Sequence, residues 1–197
     1  MSLLVLASAS AARQRILRDA GLMFEVVAPL VDEEAAKARM RQEQTPPREQ
    51  AAALAALKAL SISENRPGLV IGADQMLALD DEVFDKPKSL AEARAQLQRL
   101  RGRSHDLITA LVAARDGAVI WRHTDAPRLK MRHFSDLFLD LYLQQAGEGV
   151  LHSVGAYQLE GLGAQLFDRV EGDFFAVLGL PLLPLLGFLR SQGLAPE

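Results

Sequence analysis

Leu69-Val70-Ile71-Gly72-Ala73-Asp74-Gln75-Met76-Leu77-Ala78-Leu79 is an apolar run broken only at Asp74 and Gln75. Apolar residues at successive positions mark a strand buried on both faces, the habit of sheets covered by helices on each side. The turn Asn65-Arg66-Pro67-Gly68 leads into it. Upstream, Leu3 to Leu6 reads as a short buried strand, and Ser10 caps a helix from Ala11 to Ala20 closed by Gly21. Phe24 to Ala28 alternates as a strand that Pro29 ends, and Glu34 to Gln44 is charged and helical. Thr45 is expected to cap a further helix, with Pro46 and Pro47 in its first turn, reaching about Ser61. Downstream, Ser89 starts a helix to Leu100, and Leu107–Ala114 and Ala118–Arg122 flank the hairpin signal Asp116-Gly117. Ser135 caps a helix through Gln145, the glycine-rich stretch Gly155 to Gly163 leads into another strand, and Pro181 opens the last helix. Helix-separated strands with one hairpin among them predict an α/β fold around a mixed sheet.

The 197 residues suit a single domain, 1–197, of one or two closely joined lobes. A hydrophobic fraction of 49% and a charged fraction of 24% are those of an ordinary globular protein. The net charge of −3 argues against a sequence-independent grip on nucleic acid, which needs a basic face. Cysteine is absent, which excludes disulfides, thiolate nucleophiles and cysteine-ligated zinc, and fits a cytoplasmic location. Ala7-Ser8-Ala9 mimics a signal-peptidase site, but the apolar stretch before it is too short and lacks a basic leader. The apolar tail from Phe174 to Leu189 falls short of a membrane span and is interrupted by Gly179, Pro181, Pro184 and Gly187, so a buried helix is expected.

Four places have residue types suited to phosphate chemistry. The small-residue turn Ala7-Ser8-Ala9-Ser10 would leave N–H groups at a helix start, with Arg13 one turn on to fork onto phosphate oxygens. Read alone, it fits a capped surface helix with a solvated arginine better. Asp74 is a carboxylate inside an apolar strand, costly unless paired or bound to a metal, though an Asp at a strand end bonded to a turn has the same pattern. Gly72 beside it permits close approach. The pair Asp32-Glu33 follows Pro29 and offers oxygens to a hard cation, or forms a solvated acidic loop. Lys58 falls on the helical line Ala51, Leu54, Ala55, Lys58, Ile62, and Lys86 precedes Pro87 in a loop; either lysine alone reads as a packed stem with its ammonium in water. No Walker loop or G-x-S-x-G elbow is present, and the four histidines lack metal-ligand spacing. Trp121 reads as a base-stacking candidate or as strand packing.

Taken together these segments resemble the Maf family of nucleotide pyrophosphatases. The resemblance runs through Leu6-Ala7-Ser8-Ala9-Ser10 with Arg13, Val31-Asp32-Glu33, Leu57-Lys58-Ala59, Gly72-Ala73-Asp74-Gln75, Lys86-Pro87, Gly161-Leu162-Gly163 and Gly179-Leu180-Pro181-Leu182. His152-Ser153-Val154-Gly155-Ala156-Tyr157 and Asp173-Phe174-Phe175 look like its alphaproteobacterial branch. The resemblance implies two α/β lobes around a long curved sheet flanked by helices, similar to inosine triphosphate pyrophosphatases, with a nucleoside triphosphate bound in the cleft. It also implies a divalent metal, magnesium or manganese, and a homodimer. Carried onto this chain, it makes Asp74 the proton acceptor or metal ligand, Glu33 a metal ligand, and Ser8, Arg13, Lys58 and Lys86 the phosphate binders. The pyrimidine-preferring branch commonly has Thr after the strand Asp and Gln in the glycine-rich segment. Here those positions match Gln75 and Glu160, which resemble the branch linked to 7-methyl-GTP and imply a purine or modified-purine triphosphate. Two other readings are a nucleotide-binding regulator of cell division and a phosphatase that cuts at the γ-phosphate.

Overall fold

The computed structural model describes residues 3–80 and 82–196. Chain order begins with β1 (Leu4–Ala7), α1 (Ala11–Asp19), β2 (Glu25–Val26), α2 (Glu33–Gln42) and α3 (Pro47–Ser63). It continues with β3 (Leu69–Leu79), β4 (Glu82–Phe84), α4 (Leu90–Leu100), β5 (Ser104–Arg115), β6 (Ala118–Asp125), β7 (Arg128–Met131) and α5 (Asp136–Ala146). Three tight 3₁₀ turns between Gly147 and Leu166 then lead to β8 (Phe167–Glu171), α6 (Phe174–Val177) and α7 (Leu182–Ser191). The result is a mixed α/β fold on an eight-stranded sheet in the order β2-β1-β3-β5-β7-β8, with β4 added beside β3 and β6 beside β5.

Both long strands span the molecule. β3 lies parallel to β1 through Leu69–Gly72 and antiparallel to β5 from Val70 opposite Ala114 to Ala78 opposite Asp106. β5 in turn pairs with β6 along its later half and with β7 at its start. Side chains alternate along β3, so Val70, Met76 and Ala78 join the core under α3, whereas Leu69, Ile71 and Ala73 join the core under α1 and α7. A third core, built by Leu97, Leu100, Leu129, Met131, Leu139 and Tyr157, fills the lobe formed by α4, α5 and β7.

α3 meets the sheet almost backbone to backbone. Ala51, Ala55 and Ala59 are fully buried, and a Cβ placed on Gly72 would stand 2.1 Å from the Ala55 carbonyl oxygen. Small residues on both partners permit this approach. At the other end of the sheet, Asp116 (φ +51) and Gly117 (φ +72) give the two left-handed positions of the hairpin joining β5 and β6.

The structure corrects several expectations. Pro46, not Thr45, occupies the cap position of α3 and supplies no side-chain acceptor, while the Thr45 carbonyl accepts a 2.7 Å bond from Gln50 Nε2. The strand expected over Phe24–Ala28 shrinks to Glu25–Val26 at the sheet edge. β7 was not anticipated. It follows Pro127, which has no N–H to donate but whose carbonyl accepts from the Leu107 amide at 2.9 Å. The apolar tail packs as α7, with Leu185 and Leu189 fully buried, and among the described residues no helix is long and apolar enough to cross a membrane.

Candidate active site

The end of β1, the middle of β3 and residues of α1, α2, α3 and α6 border one cleft of about 1560 Å³. Asp74 lies mid-strand, paired with Ala110 on β5, and not at a sheet edge. Its even position turns the carboxylate to the α3 side, where Lys58, which read from the sequence as a packed stem with its ammonium in water, is instead buried. Lys58 Nζ donates to Asp74 Oδ1 at 2.7 Å and stands 2.8 Å from Glu33 Oε2. Only 7% of Lys58 and 8% of Asp74 are exposed, so this pair is desolvated rather than a surface contact. Glu33 reaches it from the first turn of α2, a helix capped by Asp32 Oδ1 accepting from the Ala35 amide at 2.9 Å. Asp32 is thus a helix cap, and Glu33 is the member of the acidic pair at the ion-pair cluster.

The turn after β1 provides the cationic side. Ser10 caps α1 by accepting from the Arg13 amide, and Ala9–Ala12 line the cleft where the first N–H groups of the helix lack intrahelical acceptors. Arg13 is clamped: Nε donates to Gly179 O at 2.8 Å, and Nη1 donates to Ala73 O at 3.0 Å and Ser8 Oγ at 3.2 Å. Burial lowers the pKa of its guanidinium, against the raising effect of the Asp74 and Glu33 charges. Among the described residues its Nη2 has no hydrogen-bond acceptor. Lys86, exposed in the loop after β4, has a pKa lowered first by desolvation and then by the charges of Arg13 and Lys58, which outweigh Glu33 and Asp74. Three cations that repel one another across a cleft form a receptor for a polyanion.

Gln75, next along β3, faces away from Asp74. Its Nε2 donates to Thr109 Oγ1 (2.8 Å), Ala176 O (2.9 Å) and Val177 O (3.1 Å), so its amide nitrogen is engaged by the protein. It anchors the segment that also provides Gly179 O to Arg13. Glu160 sits on the glycine-rich turn at the cleft wall, and its Oε1 is paired at 3.0 Å with Arg15 of α1. That turn is compact: a Cβ on Gly163 would stand 2.5 Å from Gln158 O. The structure therefore brings Ser8, Arg13, Glu33, Lys58, Asp74, Gln75, Lys86 and Glu160 to one cleft.

Other residues at or near the cleft escaped the sequence reading. Asp85 binds Lys37 at 2.7 Å and Arg41 at 3.3 Å, tying α2 to the loop that carries Lys86. Burial works against the Lys37 ammonium, but its bond to Asp85 and the charges of Asp85, Glu34 and Asp74 outweigh this and raise its pKa. The spacing of Lys37 and Arg41, one turn apart, was visible, but their partner 44 residues or more away was not. Behind the cleft wall, His105 Nε2 and the Tyr157 hydroxyl are 2.7 Å apart, and burial lowers the histidine pKa to about 4. Trp121 stacks on Phe188 of α7, ring centroids 4.8 Å apart, and takes no part in the cleft lining. Among the described residues no group of three or more His, Cys, Asp or Glu could hold a metal, and the carboxylates of Glu33 and Asp74 meet at Lys58 as a pair.

Residues 3–192 match the family model described as Maf-like protein. A nucleoside triphosphate pyrophosphatase of Hyphomonas neptunium is 54% identical over 197 residues, covering all of both chains. One of Paramagnetospirillum magneticum is 57% identical over 190 residues, covering 96% of this chain and 98% of its own. A 7-methyl-GTP pyrophosphatase of Brucella abortus is 45% identical over 190 residues, 96% of each chain.

Proposed function

This chain belongs to the Maf family, and from that premise we propose that it is a nucleoside triphosphate pyrophosphatase that cuts between the α- and β-phosphates. The observation that carries the proposal is Asp74, a carboxylate buried in mid-strand and facing a cleft lined by Arg13, Lys58 and Lys86. A water oxygen attacks the α-phosphorus and gives its proton to Asp74, while the bridging P–O bond breaks and its electron pair leaves on pyrophosphate. Ser8, Arg13, Lys58 and Lys86 bind the phosphates and neutralise the charge that grows on the leaving group.

The relatives' family is generally dependent on a divalent metal, and the donors here fit one. Glu33 and Asp74 already share a single cation in Lys58, and two carboxylates completed by phosphate oxygens and water are an ordinary set for magnesium or manganese. When bound, such an ion would shield phosphate charge and make the attacking water more acidic.

Glu160 supports the lean towards purines such as 7-methyl-GTP. A carboxylate accepts from the N–H edge of guanine and favours a cationic methylated ring, while uracil and thymine oxygens find no donor in it. The reading also includes a cytoplasmic homodimer, which light scattering on the purified protein tests. The decisive experiment is turnover with magnesium or manganese on common and 7-methylated nucleoside triphosphates, with pyrophosphate and orthophosphate measured separately. Pyrophosphate released in step with monophosphate is expected. Orthophosphate alone, or nucleotide binding without turnover, sinks the proposal.

A further inference from the structure

Glu33 and Asp74 are not waiting for a positive charge, because Lys58 already provides it. Its ammonium holds Asp74 Oδ1 at 2.7 Å and Glu33 Oε2 at 2.8 Å. Withdrawing it into water would leave a buried carboxylate without a counter-charge, which is strongly unfavourable. A divalent ion gripped by the same oxygens would press against that ammonium, and in a partly desolvated site like charges in contact repel far more than in water. The other cleft cations are placed differently. Arg13 is fixed by carbonyl oxygens and Ser8, and among the described residues Lys86 has no carboxylate within ion-pair distance. Lys58 alone both occupies the carboxylate seat and lies in the cleft that phosphates would enter.

We propose that Lys58 is the resident cation of the Glu33–Asp74 seat, and that a divalent metal takes this seat only as a triphosphate draws the ammonium onto its own oxygens. The inference rests on the reading of Glu33 and Asp74 as metal ligands given above. Metal and nucleotide therefore arrive together, and the nucleotide-free protein has little affinity for metal. Once pyrophosphate departs, Lys58 returns to the two carboxylates and helps release the metal.

The test is calorimetric titration of Mn2+ into nucleotide-free protein, comparing wild type, Lys58→Met and the double variant Lys58→Met/Asp74→Asn. Lys58→Met is expected to bind a single Mn2+ more than about tenfold more tightly than wild type, and the added Asp74→Asn change is expected to abolish this gain. If Lys58→Met is poorly folded for want of its cation, Mn2+ restores it, raising its melting temperature while the wild type's stays in place. Tight and equal Mn2+ binding by wild type and Lys58→Met overturns the inference and leaves the metal seat standing. Absence of Mn2+ binding in all three, with no thermal response in Lys58→Met, overturns the seat itself and the inference with it.

Discussion

Asp74 and His105 are both buried polar residues, and the surroundings of each determine what its loss would do. Asp74 faces a lysine and a cleft, so Asp74→Asn keeps the shape but removes the proton acceptor. Turnover is expected to fall by about 10²- to 10⁴-fold in a protein that still folds, and near-normal turnover would remove Asp74 from the chemistry. His105 is 1% exposed and its Nδ1 has no partner among the described residues. Burial holds its pKa near 4, against 6.5 for the ordinary group. Between those values the unfolded chain binds the extra proton, so stability rises with pH through the window. The contribution is complete above the unfolded value and is lost as pH falls towards about 4, amounting to about 3 kcal/mol. Urea unfolding at about pH 5 and about pH 7.5 checks this. His105→Gln should flatten the difference, and an unchanged slope would assign the dependence to other groups.

At the scale of elements, the contact between α3 and β3 is the least tolerant. A methyl group at Gly72 meets the backbone of Ala55 at 2.1 Å and of Ala59 at 2.8 Å, and backbone in a buried helix cannot swing aside. Gly72→Ala is expected to cost at least about 2 kcal/mol and to displace Lys58 relative to Asp74, so the denaturation midpoint and turnover should fall together. β3 itself, with bounds Leu69–Leu79, was legible because eleven residues of continuous apolar character admit few other readings. The starts of α1, α4 and α5 were legible too, since Ser10, Ser89 and Ser135 each cap with their own hydroxyl. β7 was not, because its four residues Arg-Leu-Lys-Met carry only two apolar side chains and gain their strand character from β5 and β8. The candidate site was legible at Asp74, where charge interrupts an apolar strand, but not in the burial of the Lys58 ammonium, because a lysine on an alanine-rich helix reads equally well as solvated. The Arg15–Glu160 and Lys37–Asp85 pairs were not legible either, because ordinary surface residues acquire meaning there only from a partner brought in by the fold.

At the scale of the molecule, the lobes have no linker between them. One face of β3 carries the core under α3 along its length. Its other face joins the core under α1 and α7 at Leu69, Ile71 and Ala73 and the core around Leu97 and Tyr157 at Leu77 and Leu79, and β5 does the same in the opposite direction. We therefore expect the chain to unfold as one unit. Trp121 fluorescence, which reports on the α7 side, and far-ultraviolet circular dichroism should give coincident urea transitions. Two separated midpoints would show that the lobes melt independently.

The hairpin between β5 and β6 has a practical consequence for anyone who wishes to rewire this protein. Its tip at Asp116 and Gly117 lies on the part of β5 that contributes nothing to the cleft, and it is a tight surface turn of the kind that accepts inserted sequence. A fluorescent reporter or a sensory module spliced in there should leave hydrolysis running. The same cargo spliced anywhere within Leu69–Leu79 would split the one strand that carries the acid, faces its lysine and belongs to both lobes.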